Sequence, residues 1–170
     1  MKPGTDRWHS VTMLAAILLA WPGSGAAGVI ELDASAARIH GSQARFLVIE
    51  GIGNICYWTE AGDWVEWEAQ VPAAGRYVVE LRYSCQAGSE GSAFELTVGD
   101  YRLEGTVASH TGTWYDHETM KLGEVALDRP GAYVVALRPL RKPGVAVMNL
   151  AWLRLIPVAE YPAYAEQEAK

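Results

Sequence analysis

Gly62-Asp63-Trp64-Val65-Glu66-Trp67-Glu68-Ala69-Gln70-Val71-Pro72-Ala73-Ala74-Gly75-Arg76-Tyr77 decides how this chain folds. Val65, Trp67, Ala69 and Val71 alternate with Trp64, Glu66, Glu68 and Gln70. A period of two places one set on each face of a β-strand. Pro72 to Gly75 then supplies turn chemistry. Beyond it Tyr77, Val79, Leu81 and Tyr83 alternate with Val78, Glu80, Arg82 and Ser84. The stretch therefore reads as two strands joined by a tight turn, each with one apolar face.

The same reading extends in both directions. Gln86 to Ser92 is a loop, and Phe94, Leu96 and Val98 lead through the hairpin signal Gly99-Asp100 into Tyr101 to Val107. Tyr133, Val135 and Leu137 follow the turn Arg129-Pro130-Gly131, and Val147 to Ile156 is a strand bounded by Pro143-Gly144 and Pro157. Glu31 to Ala34 and Arg45 to Glu50 supply earlier strands. Many short strands punctuated by Gly and Pro predict an all-β chain, a β-sandwich or jelly roll, in one domain spanning 28–157. Residues 158–170 read as a polar C-terminal tail, frayed or weakly helical.

The 170 residues are 50% hydrophobic and 20% charged, which suits a globular domain with one core and excludes a disordered chain. The net charge of -6 lacks the positive field that nucleic acid or an anionic membrane requires. Seven Trp and eight Tyr stand against two Phe. Trp and Tyr join a flat apolar body to a polar edge, so the excess serves either an ordinary core or platforms for a flat ligand.

Residues 1–27 read as a secretory signal peptide. Lys2 and Arg7 form the basic start, Val11 to Trp21 the apolar run, Pro22 and Gly23 the break, and Gly25, Ala26 and Ala27 a small-residue cleavage site. The run is about half the ~20 residues a membrane-spanning helix needs, so a span in the mature protein is not expected. An uncleaved N-terminal anchor is the alternative. Export places the domain outside the cell or in the periplasm. Cys56 and Cys85, the only cysteines, could there form one disulfide, or remain two separate buried thiols.

Three segments in order resemble the carbohydrate-binding modules of families 6 and 35, which are galactose-binding-like β-sandwiches. They are the G-D-W-V-E-W…V-P-A-A-G stretch already quoted, Val107 to Thr119 (V-A-S-H-T-G-T-W-Y-D-H-E-T) and Met148 to Leu155 (M-N-L-A-W-L-R-L). Asn54 to Thr59 (N-I-C-Y-W-T) is similar to the variant appended to bacterial fucosidases and sulfatases. The resemblance implies sugar binding without catalysis, in a cleft at the loop end of the sandwich. The matching ligand-binding positions are Tyr57 or Trp58, Trp114 and Asn149. The partner implied is an oligo- or polysaccharide, and a monomer is expected. A sugar ring has C–H faces that stack on aromatics and hydroxyl edges that need fixed polar partners, so these residue types fit the task.

The resemblance also implies a structural calcium held by carboxylates of the first strand, here Glu31 and Asp33. Ala151 stands where the family carries an Asp, which removes one of the oxygen ligands a hard cation wants, so no cofactor is expected. Thr113 replaces a Gly beside Trp114 and Ala108 replaces a Pro.

Other readings compete. Trp67 and Trp152 suit the core, and Trp64 falls on the phase opposite the apolar face. Tyr57 and Trp58 are adjacent, so one points in and one out. Asn149 either ties a loop or faces a ligand. Glu66 and Glu68 lie about 6.6 Å apart by strand rise, near the lower limit for an inverting glycosidase pair, yet alternating Glu is the ordinary pattern of a solvated face. His110, Asp116 and His117 come with no nucleophile motif and no third metal ligand. A module that kept the sandwich and lost the sugar site, serving structure or protein interaction, is the second reading.

Overall fold

The computed structural model describes residues 28–169; the signal-peptide reading falls on residues outside it. Eleven strands and one helix follow in order: β1 (Ile30–Asp33), β2 (Arg38–His40), β3 (Arg45–Ile49), β4 (Ile52–Cys56), β5 (Trp64–Val71), β6 (Gly75–Ser84), β7 (Ala93–Val98), β8 (Tyr101–Thr106), β9 (Glu118–Leu127), β10 (Gly131–Arg141), β11 (Asn149–Pro157) and α1 (Tyr161–Glu168). They form two antiparallel sheets packed face to face. Sheet A runs β3-β4-β11-β6-β9, with β1 also paired to β11, and sheet B runs β2-β5-β10-β7-β8. The all-β sandwich expected from the alternation is the fold observed.

The period-two phase decides what is buried. Val65, Trp67, Ala69 and Val71 of β5 face Tyr77, Val79, Leu81 and Tyr83 of β6 across the core. The Trp67 indole N–H donates to the Asp33 carbonyl at 2.8 Å, so its polar edge is satisfied inside. Trp64 lies on the outer face of sheet B, stacked on the His40 ring at 3.8 Å with the Arg138 guanidinium 3.8 Å over it. Trp152 is buried, but on the outer face of sheet A beneath the Arg154 guanidinium at 3.9 Å. A register shift at Ala151 produces this arrangement: Leu150 pairs with Tyr83 toward the core, and Trp152 pairs with Arg82 outside.

Asp63 ties the strand it precedes to the start of β3. Its carboxylate accepts the backbone N–H groups of Ser42, Gln43 and Ala44 at 3.0, 2.8 and 2.7 Å. Burial pushes this carboxyl up, but the three N–H donors outweigh it and hold it below the ordinary aspartate range.

The tail is more ordered than its polarity implied. Although α1 buries no side chain fully, it is fastened to sheet A by polar contacts. The Tyr161 hydroxyl donates to Glu80 at 2.6 Å, and Arg154 donates to the Tyr164 hydroxyl at 2.5 Å and to Glu168 at 3.2 Å.

The disulfide does not form. Cys85 is part of the core cluster, whereas Cys56 points outward on β4 beside the loop end, and both are free thiols. Burial pushes each of them up to about 11. The calcium ligands are also otherwise engaged. The Glu31 carboxylate pairs with Arg154 at 2.7 Å, and Asp33 accepts the Ser35 N–H at 2.7 Å to cap a single 3-10 turn. Among the described residues no group of three potential metal ligands comes together.

Candidate functional site

A pocket of about 250 Å³ opens at the loop end of sheet A, lined by Tyr57, Trp114, Tyr115, Asn149, Thr59 and Cys56, with Ile49, Val145 and Ala146 at its apolar margin. Three of the four sequence-derived ligand residues meet here. The fourth, Trp58, does not. Its side chain is fully buried, and its indole N–H donates to the Asp63 carbonyl at 2.8 Å. The adjacent pair divides as one in and one out, and Tyr57 is the outward member.

Tyr57 stands at the end of β4 with φ of 54°, in the left-handed region that a bulky residue seldom adopts. The Thr59 N–H donates to its carbonyl at 2.7 Å, and the Val147 N–H to the Trp58 carbonyl at 2.9 Å, so the backbone on its C-terminal side is pinned. Tyr57 is 52% exposed, and the Arg45 guanidinium lies 4.1 Å from its ring centroid. Strain of this kind costs about 1–3 kcal/mol and survives only where the surroundings fix it.

Trp114 is held through its own carbonyl oxygen. Ser84 Oγ and Asn149 Nδ2 both donate to it, at 2.8 and 3.0 Å. Ser84 and Asn149 pair across β6 and β11 on the outer face, so two strands of the sheet hold this loop. Asn149 therefore ties the loop and lines the pocket at once, with its Oδ1 left to accept a hydroxyl. Thr113, in place of the expected Gly, takes a turn role: Asp116 Oδ2 accepts its N–H at 2.9 Å and its hydroxyl at 2.7 Å. Gly112 is the residue that must be glycine, with φ of 118° and a Cβ position 2.8 Å from Asp116 Oδ2. Thr111 closes the loop base on Cys85, accepting its N–H at 2.9 Å.

His117 ends the loop. Its Nδ1 faces the Tyr115 carbonyl at 3.0 Å and its Nε2 faces Asn54 Oδ1 at 2.7 Å. Burial pushes this imidazole down, and the nearby Arg82 charge adds to that, against the raising influence of the Tyr115 carbonyl and Asp116.

Tyr115, 54% exposed, was not singled out in the sequence. Its position beside Trp114 was the available signal, but loop geometry, not alternation, turns both rings to the pocket. Val145, 71% exposed, comes from the turn before β11 and carried no signal at all. Glu66 and Glu68 lie on the outer face of sheet B, away from the pocket. Glu66 accepts from Arg38 and His40 at 3.5 and 3.1 Å, and Glu68 from Gln70 at 2.8 Å.

Residues 44–157 match carbohydrate binding module (family 6). The chain belongs to that family. This family 6 chain is a non-catalytic carbohydrate-binding module. It is 31% identical over 87 residues to Beta-agarase AgaA of Microbulbifer thermotolerans, covering 51% of this chain and 20% of that enzyme. The chain thus spans about a fifth of the curated relative it matches. Among solved structures, a family 35 module from Clostridium thermocellum superposes with a TM-score of 0.61 at 19% identity, over 78% of this chain and 100% of that one. A family 6 module from Cellvibrio mixtus lichenase 5A in complex with cellotriose gives 0.56 at 24% identity, over 75% and 96%. A β-1,3-glucan-binding family 6 module from Bacillus halodurans gives 0.55 at 24%, over 74% and 94%. At these identities the likeness is one of fold.

Proposed function

We propose that the module binds a saccharide in the loop-end pocket, with Tyr57, Trp114 and Tyr115 as stacking surfaces and Asn149 as the fixed polar partner. The observation that carries this is the convergence of three aromatics and one amide on an open hollow. The apolar lining suits the C–H faces of a sugar ring, and Asn149 Oδ1 and Thr59 supply directional partners. The exposed Tyr57 and Tyr115 rings leave the loop end open, which favours this reading over a module that has lost its site.

The segment 1–27 directs export, so the module works outside the cytoplasm, where polysaccharides are met. Similarity to a β-agarase makes a galactan the first ligand to try, in preference to the fucosidase and sulfatase context of the Asn54–Thr59 likeness. In either setting the module would act by holding an enzyme near its substrate and raising its local concentration.

Isothermal titration calorimetry with agarose-derived oligosaccharides, and with β-glucan oligosaccharides as the alternative, tests the reading. Micromolar to millimolar Kd values are expected, about 4–8 kcal/mol. A folded protein that gives no heat with any neutral oligosaccharide overturns it.

A further inference from the structure

The outer face of sheet A carries a second hollow, an open groove of about 470 Å³. Its floor is the β6–β9 pair, where Arg82 lies beside Thr119 and Glu80 beside Lys121. Its wall is α1, through Tyr161 and Tyr164. His117 also borders it and, through the Tyr115 carbonyl, joins it to the pocket.

The charged groups of the groove are unevenly satisfied. Glu80 accepts the Tyr161 hydroxyl, Glu168 pairs with Arg154, and the Lys121 ammonium sits 4.5 Å over the Tyr161 ring. Arg82 is the exception: its Nε is enclosed and has no hydrogen-bond partner. An enclosed guanidinium N–H without an acceptor is destabilising. A guanidinium presents a planar fork of donors that matches the two oxygens of a carboxylate or sulfate. Thr119 and Lys121 on the neighbouring strand line the same groove.

We propose that Arg82, flanked by Thr119 and Lys121, forms an oxyanion site that takes a carboxylate or sulfate group carried on an acidic saccharide. The carrier rests on the function proposed above; the oxyanion does not. The protein's charge of -6 gives such a ligand no long-range attraction, so recognition is local and modest in strength.

The site is coupled to the pocket through His117. Both ring nitrogens face oxygen acceptors, so only the imidazolium can donate to both. The charges around this ring are Arg82 and Asp116, with Glu80, Lys121 and Glu168 farther along the groove. Burial is the main influence that disfavours the imidazolium, and an anion on Arg82 cancels the lesser one, the Arg82 repulsion, favouring the form that fastens Tyr115 and Asn54 together.

The test is an NMR titration of the intact protein with sodium sulfate and with sodium glucuronate, each against sodium chloride at matched ionic strength. A saturable shift of the Arg82 Nε–Hε signal in the ~1–10 mM range is expected. The His117 pKa should rise with it. Arg82→Gln should abolish both changes, and Lys121→Gln, kept as a second variant should Arg82→Gln fail to fold, should weaken binding several-fold. A response to one anion alone assigns the site to carboxylates or to sulfates. A linear drift no larger than that given by chloride overturns the site, as does a saturable shift that survives in Arg82→Gln. Calorimetry with a neutral oligosaccharide on the same sample reports the pocket separately, so failure there leaves a positive Arg82 result standing.

Discussion

Trp58 and Trp114 show how little residue type alone says about role. One is sealed in the core and the other is held at the loop end by two donors on its carbonyl. Trp114→Ala should abolish calorimetric binding while shifting Tm by only a degree or two. Trp58→Ala should instead cost about 3–5 kcal/mol of stability by chemical denaturation, the range for emptying a large core site. Asp63 gives a prediction with a sign. Its folded pKa lies below the ordinary value of 3.8, so its contribution is fully present above that value and lost as pH falls through the depressed one. Asp63→Asn should lower stability at pH 7 by about 1–3 kcal/mol and flatten the acid limb of the stability curve. The Asp stands in the G-D-W-V-E-W stretch that decided the fold, but nothing local marks it as the anchor of Ser42 to Ala44. That contact joins segments about twenty residues apart.

At the scale of elements, alternation found the strands whose phase is unbroken, β5, β6, β7 and the part of β10 before its bulge at Pro139 to Arg141. It missed β9 because the phase slips within it. Met120 and Leu122 pack on the core in one phase and Val125 and Leu127 in the other, with a register shift opposite Val79 and Glu80. A one-residue bulge hides a strand from any period-two reading. Docking of α1 was equally hidden, since it depends on Glu80 and Arg154 lying side by side on strands far apart in sequence. A chain ending at Glu160 should lose about 1 kcal/mol in urea denaturation, in line with the loss of a few polar contacts. Oligosaccharide affinity at the pocket should stay within twofold, because α1 touches none of its lining.

For the whole molecule, the two-sheet architecture was legible from patterning, and three of the residues picked out by motif order line one loop-end pocket. The pocket's outer members were not, because Tyr115 and Val145 arrive from loops whose course is set by hydrogen bonds distant in sequence. The thiols are a whole-molecule matter too, since they lie on opposite sides of sheet A. With both held up to about 11, alkylation at pH 8 should be slow in the folded protein and rapid in denaturant. Reducing agent should leave Tm unchanged. The placement of the indoles also fixes what an optical measurement can see. Trp58, Trp64, Trp67 and Trp152 are each locked by a carbonyl, a stacked ring or a guanidinium before any ligand arrives. Among the described residues Trp114 is the indole that lines the pocket, so emission should carry a small ligand-dependent component on a large constant background. A soluble collisional agent should reach the half-buried Trp64 and Trp114, and saccharide should shield only the Trp114 share.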